Sequence, residues 1–257
     1  MELFDPVLLS RIQFAVTIGF HFIFAPISIG LAAIIAITET FAWLKRDASY
    51  ERLGRFFAPL LGLTFVVGVA TGVPMEFQFG TNWAGYSRFV GDIFGAPLAA
   101  EVLFSFFLES SFIALYLFGR NKVPKGVHWF SAMMVSLGSI LSAFWILVAN
   151  SWQQTPAGYM LNAETGRAEL TSFWQAVLNP SMAIRFFHVV DAAFIVGTFF
   201  VAGVLAYVII KDRTNVAARR GLKLALVFGV IASVLELAPL GDMHARQVAR
   251  QQPEKLA

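Results

Sequence analysis

The chain has 257 residues, of which 58% are hydrophobic and 14% charged, against roughly 25% charged in an ordinary soluble domain. So few charges cannot cover a water-exposed surface, and the mean hydropathy of +0.69 points to a membrane protein. Cysteine is absent and the net charge is a modest +3, which excludes disulfides, thiolate metal sites and c-type haem attachment and leaves His, Met and carboxylates as candidate ligands.

The opening MELFDPVLLSRIQFAVTIGFHF lacks a basic segment followed by a short apolar core and a small-residue cleavage site, so its apolar run is expected to be a retained helix. Crossing the hydrocarbon core takes about 20 mainly apolar residues. Six runs qualify, at about 12–44, 57–79, 94–118, 127–149, 184–210 and 221–240. The expected fold is an all-α integral membrane protein, a bundle of about six transmembrane helices in one domain spanning 1–240. Its 27 phenylalanines suit lipid-facing helices, with a minority packed on one another or on a flat cofactor.

The connections alternate in charge. Lys45, Arg46, Arg52 and Arg55 lie between the first two spans, Arg120, Lys122 and Lys125 between the third and fourth, and Lys211, Arg213, Arg219 and Arg220 between the last two. The other connections carry Arg88 and Arg167, with Arg185 at a helix boundary. The positive-inside rule then places the N-terminus outside and, after six spans, the C-terminus outside as well. The basic loops need no nucleic acid to explain them. The long stretch 150–183, with Trp152, Pro156, Gly158, Tyr159, Trp174 and Pro180, reads as a small external lid or a plain exposed loop.

Ionisable residues inside the spans are costly unless they meet a partner, water or a cofactor. His21 stands about nine residues into the first span, roughly 14 Å by helical rise, in the apolar setting FAVTIGFHFIFAPISIG. Its neutral imidazole is suited either to haem iron or to a hydrogen bond between helices. His188 in MAIRFFHVVDAAF lies nearer the outer surface, with Arg185 one turn away and able to face a haem propionate. Asp191 is expected to make a helix or water contact. In PLAAEVLFSFFLESSF, Glu101, Ser105 and Glu109 recur at i, i+4 and i+8, forming one inclined polar row with Ser110 beside it. Such a row lines a proton path or forms a structural seam, and Ser139 and Ser142 on the next span suit either role. Glu39 is expected to snorkel or to pair between helices. Glu76, Gln78 and Asn82 give the second span a polar outer end, above Gly68, Gly72 and Pro74. Met75 reads as packing, His128 as a surface residue and His244 as part of a polar tail. No phosphate-binding loop, HExxH helix or nucleophile elbow is present.

Taken together, LLSRIQFAVTIGFHFIFAPISIG, GVATGVPMEFQFGTNW, VGDIFGAPLAAEVLFSFFLES, LGSILSAFWILVANSWQQTPAGY, NPSMAIRFFHV and GD followed by QPEKLA resemble subunit I of the cytochrome bd quinol oxidases, including their cyanide-insensitive branch. The resemblance implies a bacterial inner-membrane, haem-binding subunit of a quinol:oxygen oxidoreductase in aerobic electron transport. By it, His188 is similar to an axial ligand of the low-spin haem b, and His21 to a ligand in the high-spin region, which holds haem b together with haem d or a further haem b. Glu101, Glu109 and Ser142 match the oxygen-site and proton-route positions, and Lys255 matches a basic position of the external quinol loop. The implied partners are ubiquinol or menaquinol, oxygen, a second membrane subunit and, optionally, a small accessory one.

The resemblance also implies further helices carrying additional haem ligands, whereas the chain stops within the loop that starts at 241–257, with Ala245 at a usual glycine position and Asp191 where a small residue is commoner. A truncated, inactive structural or assembly fragment is therefore the alternative expectation. A small transporter using Glu101 and Glu109 is a third reading, disfavoured by the lack of an inverted repeat.

Overall fold

The computed structural model describes residues 5–255. Helix α1 (Pro6–Lys45) starts at a proline whose missing N–H costs nothing in the first turn, while the Asp5 side chain accepts from Val7 N at 3.0 Å. It ends at Arg46, in a left-handed conformation with φ 51°. Helix α2 (Ala48–Gln78) begins at once, capped by Asp47, which accepts from Ser49 N at 2.8 Å. Helix α3 (Ala84–Ala100) leads through a π-helical turn (Glu101–Phe106) into α4 (Phe107–Gly119), and α5 (Lys125–Gln154) returns. An antiparallel hairpin of β1 (Tyr159–Asn162) and β2 (Arg167–Leu170) and the short α6 (Phe173–Val177) follow. Helix α7 (Met182–Lys211) precedes α8 (Val216–Leu235), which passes through a second π-helical turn (Glu236–Leu240) into α9 (Gly241–Gln251).

Six of these helical stretches are long and apolar enough to cross a membrane, in agreement with the expected bundle. Their ends extend beyond the apolar runs. The third stretch begins at Ala84 and the sixth reaches Gln251, so residues 241–251, expected as loop, are helical. Hydropathy marks where the lipid ends, whereas backbone hydrogen bonds continue into polar sequence. Leu256 and Ala257, the last two residues of the expected loop, lie outside the described residues.

Large apolar side chains cover the outside of the bundle as well as its core. Phe104, Phe199 and Leu237 are 65%, 66% and 83% exposed, as expected of side chains facing lipid, whereas the contacts between helices rely on small residues. At the α1–α7 crossing, a Cβ added at Gly30 would lie 2.7 Å from the Gly197 Cα. Only two glycines allow the backbones to come so close. Around them Leu31, Leu61, Tyr116, Val135, Val201 and Leu205 form the central core.

The basic connections converge at one end. Arg220 at the start of α8 pairs with Asp47, Lys125 with Glu51 at 2.8 Å, and Arg120 with Glu39. At the other end the hairpin forms a cover, in line with the expected lid. The Leu170 N–H donates to Asp92 Oδ2 at 2.6 Å, Trp152 Nε1 donates to Ala157 O at 2.9 Å, and Asn179 Nδ2 donates to Ser151 Oγ at 2.8 Å. Gly158 supports the bend with φ +65°.

Candidate cofactor and proton sites

Three polar constellations lie on the membrane-length helical stretches. The first joins α1 to α2. His21 Nδ1 lies 2.8 Å from Thr71 Oγ1, and the Thr71 hydroxyl is within donating distance of the carbonyls of Val67 at 2.8 Å and Gly68 at 3.0 Å. A threonine hydroxyl has a single proton. With that proton on the helix backbone, Thr71 accepts from the ring, so Nδ1 carries the hydrogen and Nε2 keeps its lone pair. Gly72 adds the space: a Cβ there would lie 3.2 Å from His21 Cε1.

The second joins the π-helical turn after α3 to α5. Ser142 Oγ donates to Glu101 Oε1 at 2.6 Å. A π-helical turn takes up more residues than an α-helical one, which pulls Glu101, Ser105 and Glu109 back towards a single line. Ser105 is fully buried, with its hydroxyl unpartnered, and Glu109 is 8% exposed. A Cβ at Gly138 of α5 would lie 2.9 Å from that of Glu109, so α5 packs directly on the carboxylate-bearing residue. The expected row is therefore present. Glu76 is exposed on α2.

The third joins α7 to α8 and α9. His188 Nδ1 is 2.5 Å from Glu236 Oε1, off the line of the ring N–H, and the His188 and His244 rings stack with centroids 4.3 Å apart. Arg185 Nε, Asp191 Oδ2, Glu236 Oε2 and His244 Nε2 are buried and have no hydrogen-bond partner. Unpaired buried polar atoms cost free energy, and here several of them surround one imidazole. Among the described residues no three His, Asp or Glu side chains converge on a bare metal ion, so each of His21 and His188 offers itself singly.

Lys255 Nζ donates to Gln154 Oε1 at 2.6 Å, and Gln252 Nε2 reaches the same oxygen at 2.7 Å. The residues after the sixth span are thus pinned to the end of α5, on the lid side.

The sequence model described as cytochrome bd terminal oxidase subunit I matches residues 9–257. The chain belongs to that family. Within the cytochrome bd subunit I family, it is similar to the cytochrome bd ubiquinol oxidase subunit 1 of Bacillus subtilis (strain 168), at 44% identity over 98% of this chain and 53% of the relative. The cytochrome bd-II ubiquinol oxidase subunit 1 of Escherichia coli (strain K12) is likewise 44% identical, over 99% of this chain and 49% of the relative. A solved bd oxidase from Geobacillus thermodenitrificans superposes with a TM-score of 0.92 at 31% identity, covering 100% of this chain and 59% of that one. The chain thus spans about half the length of the curated relatives it matches.

Several residues at these sites escaped the sequence reading. Glu236 is a lone acid in the apolar VIASVLELAPL, and the same cost argument that singled out Glu101 applies to it. Thr71 gives no such signal. His244 leaves its expected polar tail because α9 continues α8 and carries it back over His188. His128, expected at the surface, is 4% exposed. Its Nε2 lies 3.1 Å from Tyr116 O, beneath a Glu39 carboxylate held by Tyr116 Oη at 3.0 Å and by Arg120.

Proposed function

We propose that this chain is the haem-binding portion of a membrane quinol:oxygen oxidoreductase subunit, with its basic connections on the cytoplasmic side of the bacterial inner membrane. The observation that carries the reading is the cluster of unpartnered polar atoms around His188. An imidazole beside an unpaired arginine offers an axial nitrogen for haem iron and a cation for a propionate. His188 would hold a low-spin haem b, with Arg185 placed for a propionate. His21, with its Nε2 lone pair left free by Thr71, would serve the high-spin region, which takes haem b together with haem d or a further haem b. When bound, the haems supply electron transfer and oxygen activation.

The chain's own residues do the rest. Lys255, held at the lid-side end, would position ubiquinol or menaquinol; relatives are named for each substrate. Quinol oxidation releases protons at that face. Ser142 holds the Glu101 carboxyl, and Glu109 and Ser105 continue the buried row inward. These groups would pass protons toward the oxygen-reducing region, so that two quinols reduce one dioxygen to two waters. A second membrane subunit completes the assembly, with a small accessory subunit as an optional addition.

The test is a reduced-minus-oxidised haem spectrum of the purified chain, with His21→Ala and His188→Ala. Distinct signals lost in the matching variants support the proposal. A folded chain that takes up no haem in any form would overturn it and favour a structural role.

A further inference from the structure

The basic end of the bundle holds a cavity of about 500 Å³ that the proposed chemistry leaves unused. It lies where the ends of α1, α2, α4 and α5 meet. Its cations are Arg46, Arg55, Arg120 and Lys125, and its acids are Glu39 and Glu51. Both acids are already engaged, Glu39 by Arg120 and Glu51 by Lys125. Arg46 and Arg55 have no carboxylate partner among the described residues. Two uncompensated guanidiniums therefore face one cavity. The first turn of α5 also contributes, since Lys125 and His128 line the wall and Pro124 gives that helix no side-chain cap. Its free amides add positive potential.

The rim distinguishes this cavity from an ordinary anion pocket. Trp43 and Trp129 line it and stack on each other, with centroids 4.5 Å apart and planes 21° apart. Trp43 is 45% exposed, and Leu44 next to it and Phe130 next to Trp129 are exposed at 66% and 45%. An aromatic pair between a cationic pocket and an apolar outer face is the arrangement found at a membrane interface. A soluble phosphate would use the cations and leave the rim unused.

We infer that this cavity binds the phosphate headgroup of an acidic phospholipid in the leaflet on the basic side, with its acyl chains lying over the Trp43–Trp129 rim. The arginines supply bidentate donors for the phosphate oxygens, and the tryptophans cover the glycerol region. The site does not depend on haem or on the proposed redox reaction.

The experiment is native mass spectrometry of the purified chain in a maltoside detergent, titrated with phosphatidylglycerol. Wild type is expected to retain one lipid. The Arg46→Gln/Arg55→Gln pair should bind it roughly thirty-fold more weakly, since each interfacial cation contributes about a factor of five. Should that pair not fold, Arg55→Gln alone carries the test with about a five-fold loss. Arg46→Lys/Arg55→Lys, and the charge-matched control Lys211→Gln/Arg213→Gln in the α7–α8 connection, should keep most of the lipid. Undiminished binding in the glutamine variants would overturn the proposal. So would an equal loss in the control, which means diffuse attraction, or displacement of the lipid by millimolar inorganic phosphate, which means a soluble-anion site.

Discussion

At His21 the second ring nitrogen rests on a neutral hydroxyl, whereas at His188 it faces a carboxylate. Thr71 is itself tied to its own helix and fixes the ring tautomer without adding charge. Glu236 brings a negative charge on a π-helical turn, and its second oxygen remains unpartnered. A carboxylate behind an imidazole makes it a more basic ligand than a hydroxyl does. On the proposed reading the two sites would differ electronically, with a more strongly donating histidine at His188 than at His21.

The largest expected effect abolishes the comparison altogether. Gly30→Val places a branched side chain where Gly197 already lies, and overpacking of this kind costs about 3 kcal/mol. Since α1 carries His21 and α7 carries His188, both haem signals should fall together, with early aggregation on size-exclusion chromatography. Loss of one signal alone would show that the crossing does not hold the two sites in common.

Glu236→Gln should act at one site only. It removes the charge behind His188, so haem affinity there should drop by about tenfold or more, with an upward shift in the midpoint potential of that haem and an unchanged His21 signal. Redox titration of the two signals distinguishes this from general damage. Thr71→Val should be milder and opposite in location, weakening the His21 signal several-fold while Thr71→Ser retains it. An unaltered spectrum in the valine variant would remove Thr71 from the account.

The smallest effect is a pH dependence at the basic end. The Ser49 backbone amide holds the Asp47 carboxyl below its ordinary value, opposed by desolvation and helped by the Ser49 side chain and Arg220. A carboxylate lowered on folding stabilises the protein above its unfolded value of about 4. That contribution disappears as the pH falls through the lower folded value. Asp47→Asn should therefore lower the melting temperature slightly at neutral pH and not at all in strong acid. A difference that persists undiminished at low pH would exclude Asp47 as its source.

Much of this was legible in the chain. The six spans follow from apolar run length, and the shared location of the basic connections follows from their alternation. His21, His188, Glu101 and Glu109 were visible because ionisable groups are rare in apolar helices. The row through Ser105 was read from spacing alone, although its straightness depends on a π-helical turn that no composition rule marks. Glu39 was expected to snorkel or pair, but its Arg120 and Tyr116 partners lie 81 and 77 residues away in sequence. His128 was misplaced for a related reason: a helix end rich in basic residues reads as surface, and only the approach of α1 and α4 covers this one.

Sequence by itself determined which segments enter the membrane, how many there are, and which residues are too polar to be there without a task, because transfer into lipid is priced residue by residue. It could not determine which faces of the helices meet. The rotation of α2 that puts Thr71 behind His21, the continuation of α8 into α9 that returns His244 to His188, and the two unpaired arginines beneath a tryptophan pair were decided by tertiary packing. Lipid rewards any apolar face almost equally, so it is close contact at small residues such as Gly30, Gly72 and Gly138 that selects the one arrangement in which these groups meet.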